Sequence, residues 1–91
     1  AVQSGIRCIV EDGFSRKFLG FTNGIVVMEN GKFRWLREDN PALEQLSDHF
    51  VFRMLYDSAK RQLLIGTVSK GLFILQMDEK GHFIQLKKGE L

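Results

Sequence analysis

Short apolar segments separated by turn residues recur along the chain. In the first half these segments are residues 6–10, 18–22, 25–28 and 33–35. The pairs Asn23-Gly24 and Asn30-Gly31 lie between them, and such pairs are strong turn signals. Asn23-Gly24 predicts a type I′ hairpin turn, in which both central residues have positive φ. Four strands joined by tight turns predict an antiparallel meander.

Residues 37–49 interrupt this pattern. They begin with polar side chains and contain the turn signal Asp39-Asn40-Pro41. Because proline is well tolerated at the first position of a helix, residues 42–46 are predicted to form one helical turn inside a loop.

The strand pattern then starts again, and its turn residues recur in the same order. Asp57 lies 45 positions after Asp12, and Thr67 lies 45 positions after Thr22. Gly71 matches Gly24 after an insertion at residues 69–70. The sequence therefore predicts an internal repeat of about 45 residues, and repeats of this length are typical of stacked architectures such as β-propellers.

The apolar runs at residues 63–65 and 72–75 are nearly continuous, which indicates strands that are covered on both faces. Since one sheet cannot cover both of its own faces, neighbouring sheets must stack on it. We therefore predict an all-β fold with two four-stranded antiparallel blades of a β-propeller. Residues 1–36 form the first blade, residues 37–49 the inter-blade loop and residues 50–91 the second blade. Propellers have about 4–8 blades, so we expect either a segment of a larger propeller or assembly of several copies.

Charge and composition exclude some partners and sites. The 13 Lys/Arg and 11 Asp/Glu are interspersed without a basic stripe, so nucleic acid is not an expected partner. No apolar run approaches the roughly 20 residues of a membrane span, and no membrane contact is expected for this segment. The single Cys8 cannot form an intramolecular disulfide, and its apolar neighbours favour a small buried side chain. The start at Ala1 suggests a mature or excised segment.

No motif indicates catalysis, a metal or another cofactor. His49 and His82 are far apart and belong to no Cys/His cluster with metal-ligand spacing. No serine lies in a Gly-x-Ser-x-Gly motif. Asp12 and Asp57 recur with the repeat, which favours a structural role in turns.

We expect a ligand to bind at one particular end of the predicted blades. In a meander, the second-to-third turns share one end with the inter-blade loop, and binding residues concentrate on loops of a rigid scaffold. The candidate ligand-binding residues at this end are Asn23, Arg37, Asp48, His49 and Lys70. Trp35 is a further candidate, because its ring can either stack on a sugar or pack against the next blade.

Residues 51–57, Val-Phe-Arg-Met-Leu-Tyr-Asp, and 63–72, Leu-Leu-Ile-Gly-Thr-Val-Ser-Lys-Gly-Leu, resemble the two-component regulator propeller repeat. Two departures are visible: Gly20 of the first unit is shifted by one place, and both units lack the tryptophan typical of the second strand. The resemblance implies a periplasmic sensor region of a bacterial hybrid histidine kinase.

Such a region is non-catalytic, and its ligand would be a small molecule or an oligosaccharide. Its other expected contacts are the remaining blades of the propeller or further copies of the chain. A protein-interaction propeller and a fragment of a propeller enzyme are the alternatives.

Overall fold

A computed structural model of the chain describes residues 6–39, 43, 51–68 and 70–89, apart from the side chain of Phe52. Each half forms a four-stranded antiparallel sheet whose strands follow one another in chain order. The first sheet consists of β1 (Cys8–Glu11), β2 (Arg16–Phe21), β3 (Gly24–Glu29) and β4 (Lys32–Trp35). The second sheet consists of β5 (Val51–Asp57), β6 (Gln62–Thr67), β7 (Leu72–Met77) and β8 (Phe83–Lys88). The prediction of an all-β chain with two antiparallel meanders is confirmed.

The two Asn-Gly pairs behave differently. Asn30 and Gly31 have φ values of 55° and 77°, as a type I′ turn requires. The type I′ prediction for Asn23-Gly24 is wrong, because Gly24 already pairs with Phe21 as the first residue of β3. The turn is made one residue earlier, by Thr22 and Asn23, and Asn23 does not have a positive φ.

A short 3-10 turn at Leu36–Glu38 follows β4 directly. Its Leu36 is fully buried, and so is Leu43 further along the chain. The helical turn predicted at residues 42–46 lies outside the described residues, apart from Leu43. Within the described ranges no helix has the length and apolar character that a membrane span requires.

The core lies between the two sheets, which stack face to face with β1 next to β5. Phe18 of β2 contacts Phe83 of β8 edge to face, with ring centroids 6.3 Å apart. The first sheet approaches β5 most closely at Gly20, where an added Cβ would lie 2.8 Å from Val51 Cγ1. The fully buried side chains are Phe18, Ile25, Val27, Leu36, Leu43, Val51, Leu63, Ile65, Leu75 and Met77.

The hydrogen-bond register corrects the alignment of the two repeats. Cys8 pairs with Gly20 in the first sheet, and Arg53 pairs with Gly66 in the second. With Asp57 matched to Asp12, the spacing of 45 residues holds for β1 and β5, and the register then places equivalent positions of β2 and β6 46 residues apart. Thr67 consequently takes the position of Phe21, and its match to Thr22 is wrong.

Both sheets have a second, outer face that no described residue covers. The outer face of the first sheet carries the polar side chains of Glu11 and Lys17 and the apolar side chains of Ile9, Leu19, Phe21, Val26, Met28, Phe33 and Trp35. The outer face of the second sheet carries the apolar side chains of Leu55, Leu64, Leu72 and Ile74 around Gly66, and the polar side chains of Arg53, Asp57, Gln62 and Gln76. Phe33 is 64% exposed and Leu55 is 59% exposed, so apolar side chains lie at the surface on both sides of the stack.

Candidate functional site

The turn between β1 and β2 is organised by one buried carboxylate. Asp12 Oδ1 accepts hydrogen bonds from the backbone N–H groups of Phe14 and Arg16, at 2.8 and 3.1 Å. Its Oδ2 accepts a hydrogen bond from Arg16 Nε at 2.8 Å. This ion pair is enclosed, since the side chains of Asp12 and Arg16 are 0% and 8% exposed. The turn thus holds a guanidinium group in a fixed orientation inside the protein.

Arg16 also connects the two sheets. Its Nη2 donates to the carbonyl oxygen of Gly81 at 2.8 Å and lies 3.5 Å from Met77 Sδ. The guanidinium carbon is 4.8 Å from the ring centroid of Phe83 and 5.6 Å from that of Phe14. Aromatic faces attract such a cation, and the attraction is stronger when water is excluded. Arg16 therefore bonds its own turn through Nε and the second sheet through Nη2.

The turn between β7 and β8 repeats the same hydrogen-bond arrangement at the surface. Asp78 Oδ1 accepts from the N–H groups of Lys80 and His82, at 2.8 and 2.9 Å. Its Oδ2 lies 3.1 Å from His82 Nδ1. Hydrogen bonds to the charged form, that of the His82 N–H foremost, lower the pKa of Asp78 below its ordinary value of 3.8.

A polar cleft of about 510 Å³ lies where the two turns meet, between the sheets. Its lining residues are Arg16, Glu29, Arg34, Asp39, Lys80, Gly81, His82 and Phe83. Arg34 is held across the cleft wall by Asp39, with Nε–Oδ1 and Nη2–Oδ2 distances of 2.6 and 2.8 Å. The hydrogen bonds that Arg34 donates to Asp39 are the main cause of the raised pKa of Arg34.

A second cleft of about 680 Å³ lies on the other side of the Asp78 turn. It is lined by Arg61, Gln76, Met77, Asp78, Glu79, Lys80, His82 and Ile84. Lys80 and His82 are exposed and line both clefts. The arrangement offers the Lys80 ammonium group and hydrogen-bond donors on one turn, which suits a ligand that carries carboxylate or hydroxyl groups.

Of the residues predicted from the sequence as ligand-binding, Asn23, Arg37 and Lys70 are described, and they lie at the opposite end of the sheets. Asn23 is exposed in the β2–β3 turn, and Lys70 is exposed in the β6–β7 turn. The Lys70 N–H donates to Thr67 Oγ1 at 3.0 Å, and that hydroxyl donates to the Gly71 carbonyl at 2.7 Å. Thr67 therefore bonds the turn backbone through its hydroxyl. Asp48 and His49 lie outside the described residues.

Arg37 and Trp35 form a small platform at this end. The guanidinium carbon of Arg37 lies 4.3 Å from the centroid of the Trp35 ring. Phe21 contacts Trp35 edge to face at 6.3 Å. Trp35 is thus half-buried on the outer face of the first sheet, and Arg37 occupies one face of its ring. Arg37 contacts Trp35 and Lys70 contacts Thr67, so each of these candidates makes its contact within its own sheet.

Metal and thiol chemistry find little support in the part of the chain that is described. There, no group of three His, Cys, Asp or Glu side chains is arranged to hold a metal ion. Burial raises the pKa of the half-buried Cys8 thiol, which disfavours the reactive thiolate.

Sequence reasoning missed the residues of the cleft, although one signal for them exists. Asp12 and Arg16 are four residues apart, and so are Asp78 and His82. In both turns the aspartate accepts hydrogen bonds from the residue four positions on. An Asp-x-x-x-Arg/His search at strand-to-strand turns would have found both sites. Arg34 and Lys80 carry no comparable signal.

A scan against protein-family models, a search of curated proteins and a search of solved structures each returned no match for this chain. The geometry of the sheets and clefts, together with the repeat, is therefore the basis for the function proposed below.

Proposed function

We propose that the chain is a two-blade segment of a larger β-propeller and that it serves a sensor protein as a non-catalytic ligand-binding surface. The observation that carries the proposal is the stacking of two repeat-related four-stranded meanders, with β1 against β5. Propellers stack such sheets radially, with the first strand of each blade nearest the axis. The apolar outer faces of both sheets support further blades on each side.

The sensor role is supported by the resemblance of residues 51–57 and 63–72 to the two-component regulator propeller repeat. On this proposal the segment belongs to the periplasmic region of a bacterial histidine kinase. A histidine-kinase region encoded in the same gene would support it. A parent gene that encodes no signalling domain would contradict it.

The polar cleft supports a ligand with carboxylate or hydroxyl groups, and oligosaccharides are our first choice. Lys80 and His82 lie on a turn that five hydrogen bonds to or from Asp78 hold in place. Loops that a rigid scaffold positions in this way commonly carry binding residues. The rigid turn means that little order has to be gained when a ligand binds.

Calorimetric titration with a panel of neutral and uronic-acid oligosaccharides tests this proposal. We expect binding of at least one oligosaccharide, and an affinity loss of about tenfold or more in Lys80→Ala, which corresponds to about 1.4 kcal/mol. Lys70→Ala is the matched control, because Lys70 is an exposed lysine in a turn at the opposite end. A loss in Lys70→Ala alone would place the ligand at the end predicted from the sequence. Absence of binding across the panel would contradict an oligosaccharide ligand.

A protein-interaction propeller is the second candidate. It is favoured by a different observation, the two uncovered apolar faces, on which Phe33 and Leu55 are largely exposed. Contiguous apolar patches of this kind are typical of protein–protein contact surfaces.

A further inference from the structure

When the two repeats are aligned, the outer face of each sheet is equivalent to the inner face of the other sheet. The two inner faces are the ones that contact each other inside the molecule. The register makes Gly20 equivalent to Gly66, and the remaining positions follow from the strand pairs. Because consecutive residues of a strand point to opposite faces, this equivalence also decides which face each side chain belongs to.

The outer face of the second sheet repeats the covered face of the first sheet. Phe18, which pairs with Val27, lies between the sheets and is fully buried. The equivalent pair in the second sheet is Leu64 with Ile74, on the outer face. Similarly, Val10 packs against the core, whereas its equivalent Leu55 is 59% exposed.

The outer face of the first sheet likewise repeats the covered face of the second sheet. Leu86 packs against the core, and its equivalent in β4 is Phe33, which is 64% exposed. Met54 is buried, and its equivalent in β1 is Ile9, which is 59% exposed. The molecule therefore presents both halves of its own internal interface, one on each side.

We propose that the outer face of the second sheet binds the outer face of the first sheet of another copy of this chain, head to tail. The internal contact between the two sheets is the template for this interface. Four strands about 4.8 Å apart give each face a width of roughly 20 Å, so an area of a few hundred Å² is available on each side. This inference rests on the proposed blade-like stacking and is independent of any ligand. For the chain by itself, other copies take the places that further blades would occupy in a larger propeller.

The interface between copies is weaker than the internal one. Lys17 takes the position of the fully buried Leu63. Gln62 takes the position of Arg16 and is engaged in a 2.9 Å hydrogen bond with Gln76, so the Arg16–Gly81 link has no counterpart. We therefore expect reversible association that increases with protein concentration.

Head-to-tail contacts have a recognisable consequence for the size of the assembly. In a symmetric dimer the same patch is used on both copies, and association stops at two. Here the outer face of the second sheet of one copy binds the outer face of the first sheet of the next copy. Association therefore continues until a ring closes or an open chain forms. Since each copy supplies two sheets and propellers have about 4–8 blades, a closed ring would contain two to four copies.

Sedimentation velocity on the purified chain and three variants tests this inference. Leu55→Glu places a charge on the outer face of the second sheet, and Phe33→Glu does so on the first. Both positions are exposed, so folding should be retained, which far-ultraviolet circular dichroism verifies. Val68→Glu makes the same kind of change at an exposed apolar residue in the β6–β7 turn, away from both faces.

We expect Leu55→Glu and Phe33→Glu each to be monomeric, and Val68→Glu to associate like the unaltered chain. An equimolar mixture of Leu55→Glu and Phe33→Glu should form a dimer and nothing larger, because the mixture contains one intact pair of faces per two molecules. A folded unaltered chain that remains monomeric over about a hundredfold range of concentration would overturn the inference. Loss of association in only one of the two variants, or no dimer in the mixture, would overturn the head-to-tail geometry. None of these outcomes depends on oligosaccharide binding, so failure here and failure of the proposed ligand are distinguishable.

Discussion

The turns at residues 12–16 and 78–82 have the same internal hydrogen bonds and different surroundings. In both, an aspartate accepts from the N–H groups two and four residues later, and its second oxygen contacts the side chain of the latter residue. Asp12 and Arg16 are almost completely enclosed, whereas His82 is 74% exposed and Asp78 is 36% exposed.

The comparison shows that the second sheet, rather than the turn itself, makes the Asp12 site a structural junction. Exposed ion pairs contribute little to stability because water competes for both charges. In an enclosed pair the loss of one partner leaves the other charge buried and uncompensated. The same local geometry can therefore be essential in one turn and nearly dispensable in the other.

Removing the side chain that contacts the aspartate in each turn gives the largest expected contrast. Arg16→Met leaves the Asp12 carboxylate buried without its cation, and we expect the free energy of unfolding to fall by about 3–5 kcal/mol. His82→Met should have a far smaller effect, because its partner remains hydrated. Urea unfolding followed through the single tryptophan, Trp35, measures both. The double variant Arg16→Met/Asp12→Asn should recover part of the loss, and equal losses in the two single variants would contradict the role of burial.

A substitution at Gly81 tests the contact between the two turns. Gly81 has φ +87°, and an added Cβ would lie 2.8 Å from Cγ of the Phe14 ring. Gly31 has φ +77° and open space around it, so it provides the control. We expect Gly31→Ala to lower the free energy of unfolding by about 1–2 kcal/mol because of its backbone conformation. Gly81→Ala should lose about 1–3 kcal/mol more because of crowding. Thermal unfolding compares them, and identical losses would show that Phe14 moves away freely.

The equivalent glycines Gly20 and Gly66 extend the same comparison to the strands. An added Cβ at Gly20 would meet Cys8 Sγ at 2.7 Å and Val51 Cγ1 at 2.8 Å. At Gly66 the nearest atom is the Arg53 carbonyl oxygen, at an ordinary 3.5 Å. We expect Gly20→Ala to destabilise by about 1–3 kcal/mol, and Gly66→Ala to change stability by no more than about 0.5 kcal/mol. Unfolding at low protein concentration, where the chain is monomeric, measures both free energies. A larger loss of stability in Gly66→Ala than in Gly20→Ala would mean that the strand register at these glycines is wrong.

The pH dependence of the Asp78 turn is the smallest expected effect. The pKa of Asp78 is lower in the folded chain, so its charged form contributes stability above the ordinary value of 3.8, and this contribution is lost as pH falls through the lowered pKa. Asp78→Asn should therefore be less stable than the unaltered chain at neutral pH, and the difference should shrink on acidification below pH about 4. Acid titration of the unfolding midpoint measures it. A difference that is independent of pH would assign the effect to geometry instead of charge.

The strands were predictable because their apolar runs and turn residues follow simple rules. Asn30-Gly31 adopts the predicted turn, and Asp57 does follow Asp12 at 45 residues. The alignment of β2 with β6 between the two repeats was not predictable from identical residues alone. Thr22 and Thr67 share an identity, but the pairing of Gly20 and Gly66 with their neighbours in β1 and β5 decides the alignment.

The cleft was less predictable than the strands. The expectation that loops at one end gather functional residues led to Asn23, Arg37 and Lys70, because those loops differ between the repeats. Arg16 was overlooked because a charged residue beside Ser15 and Lys17 is typical of a solvated turn. Its burial depends on Gly81 and Phe83, which lie far away in the sequence.

The bond between Arg16 Nη2 and the Gly81 carbonyl has a kinetic consequence. It joins residues 65 positions apart, so most of the chain must be made and ordered before it can form. Individual hairpins form in about 1–10 µs, whereas contacts of high sequence separation form slowly because the loop-closure entropy is lost first. During synthesis, the first sheet would emerge with its guanidinium group hydrated and its inner face open. Docking of the β7–β8 turn would then be the step at which the two sheets begin to fold and unfold as one unit.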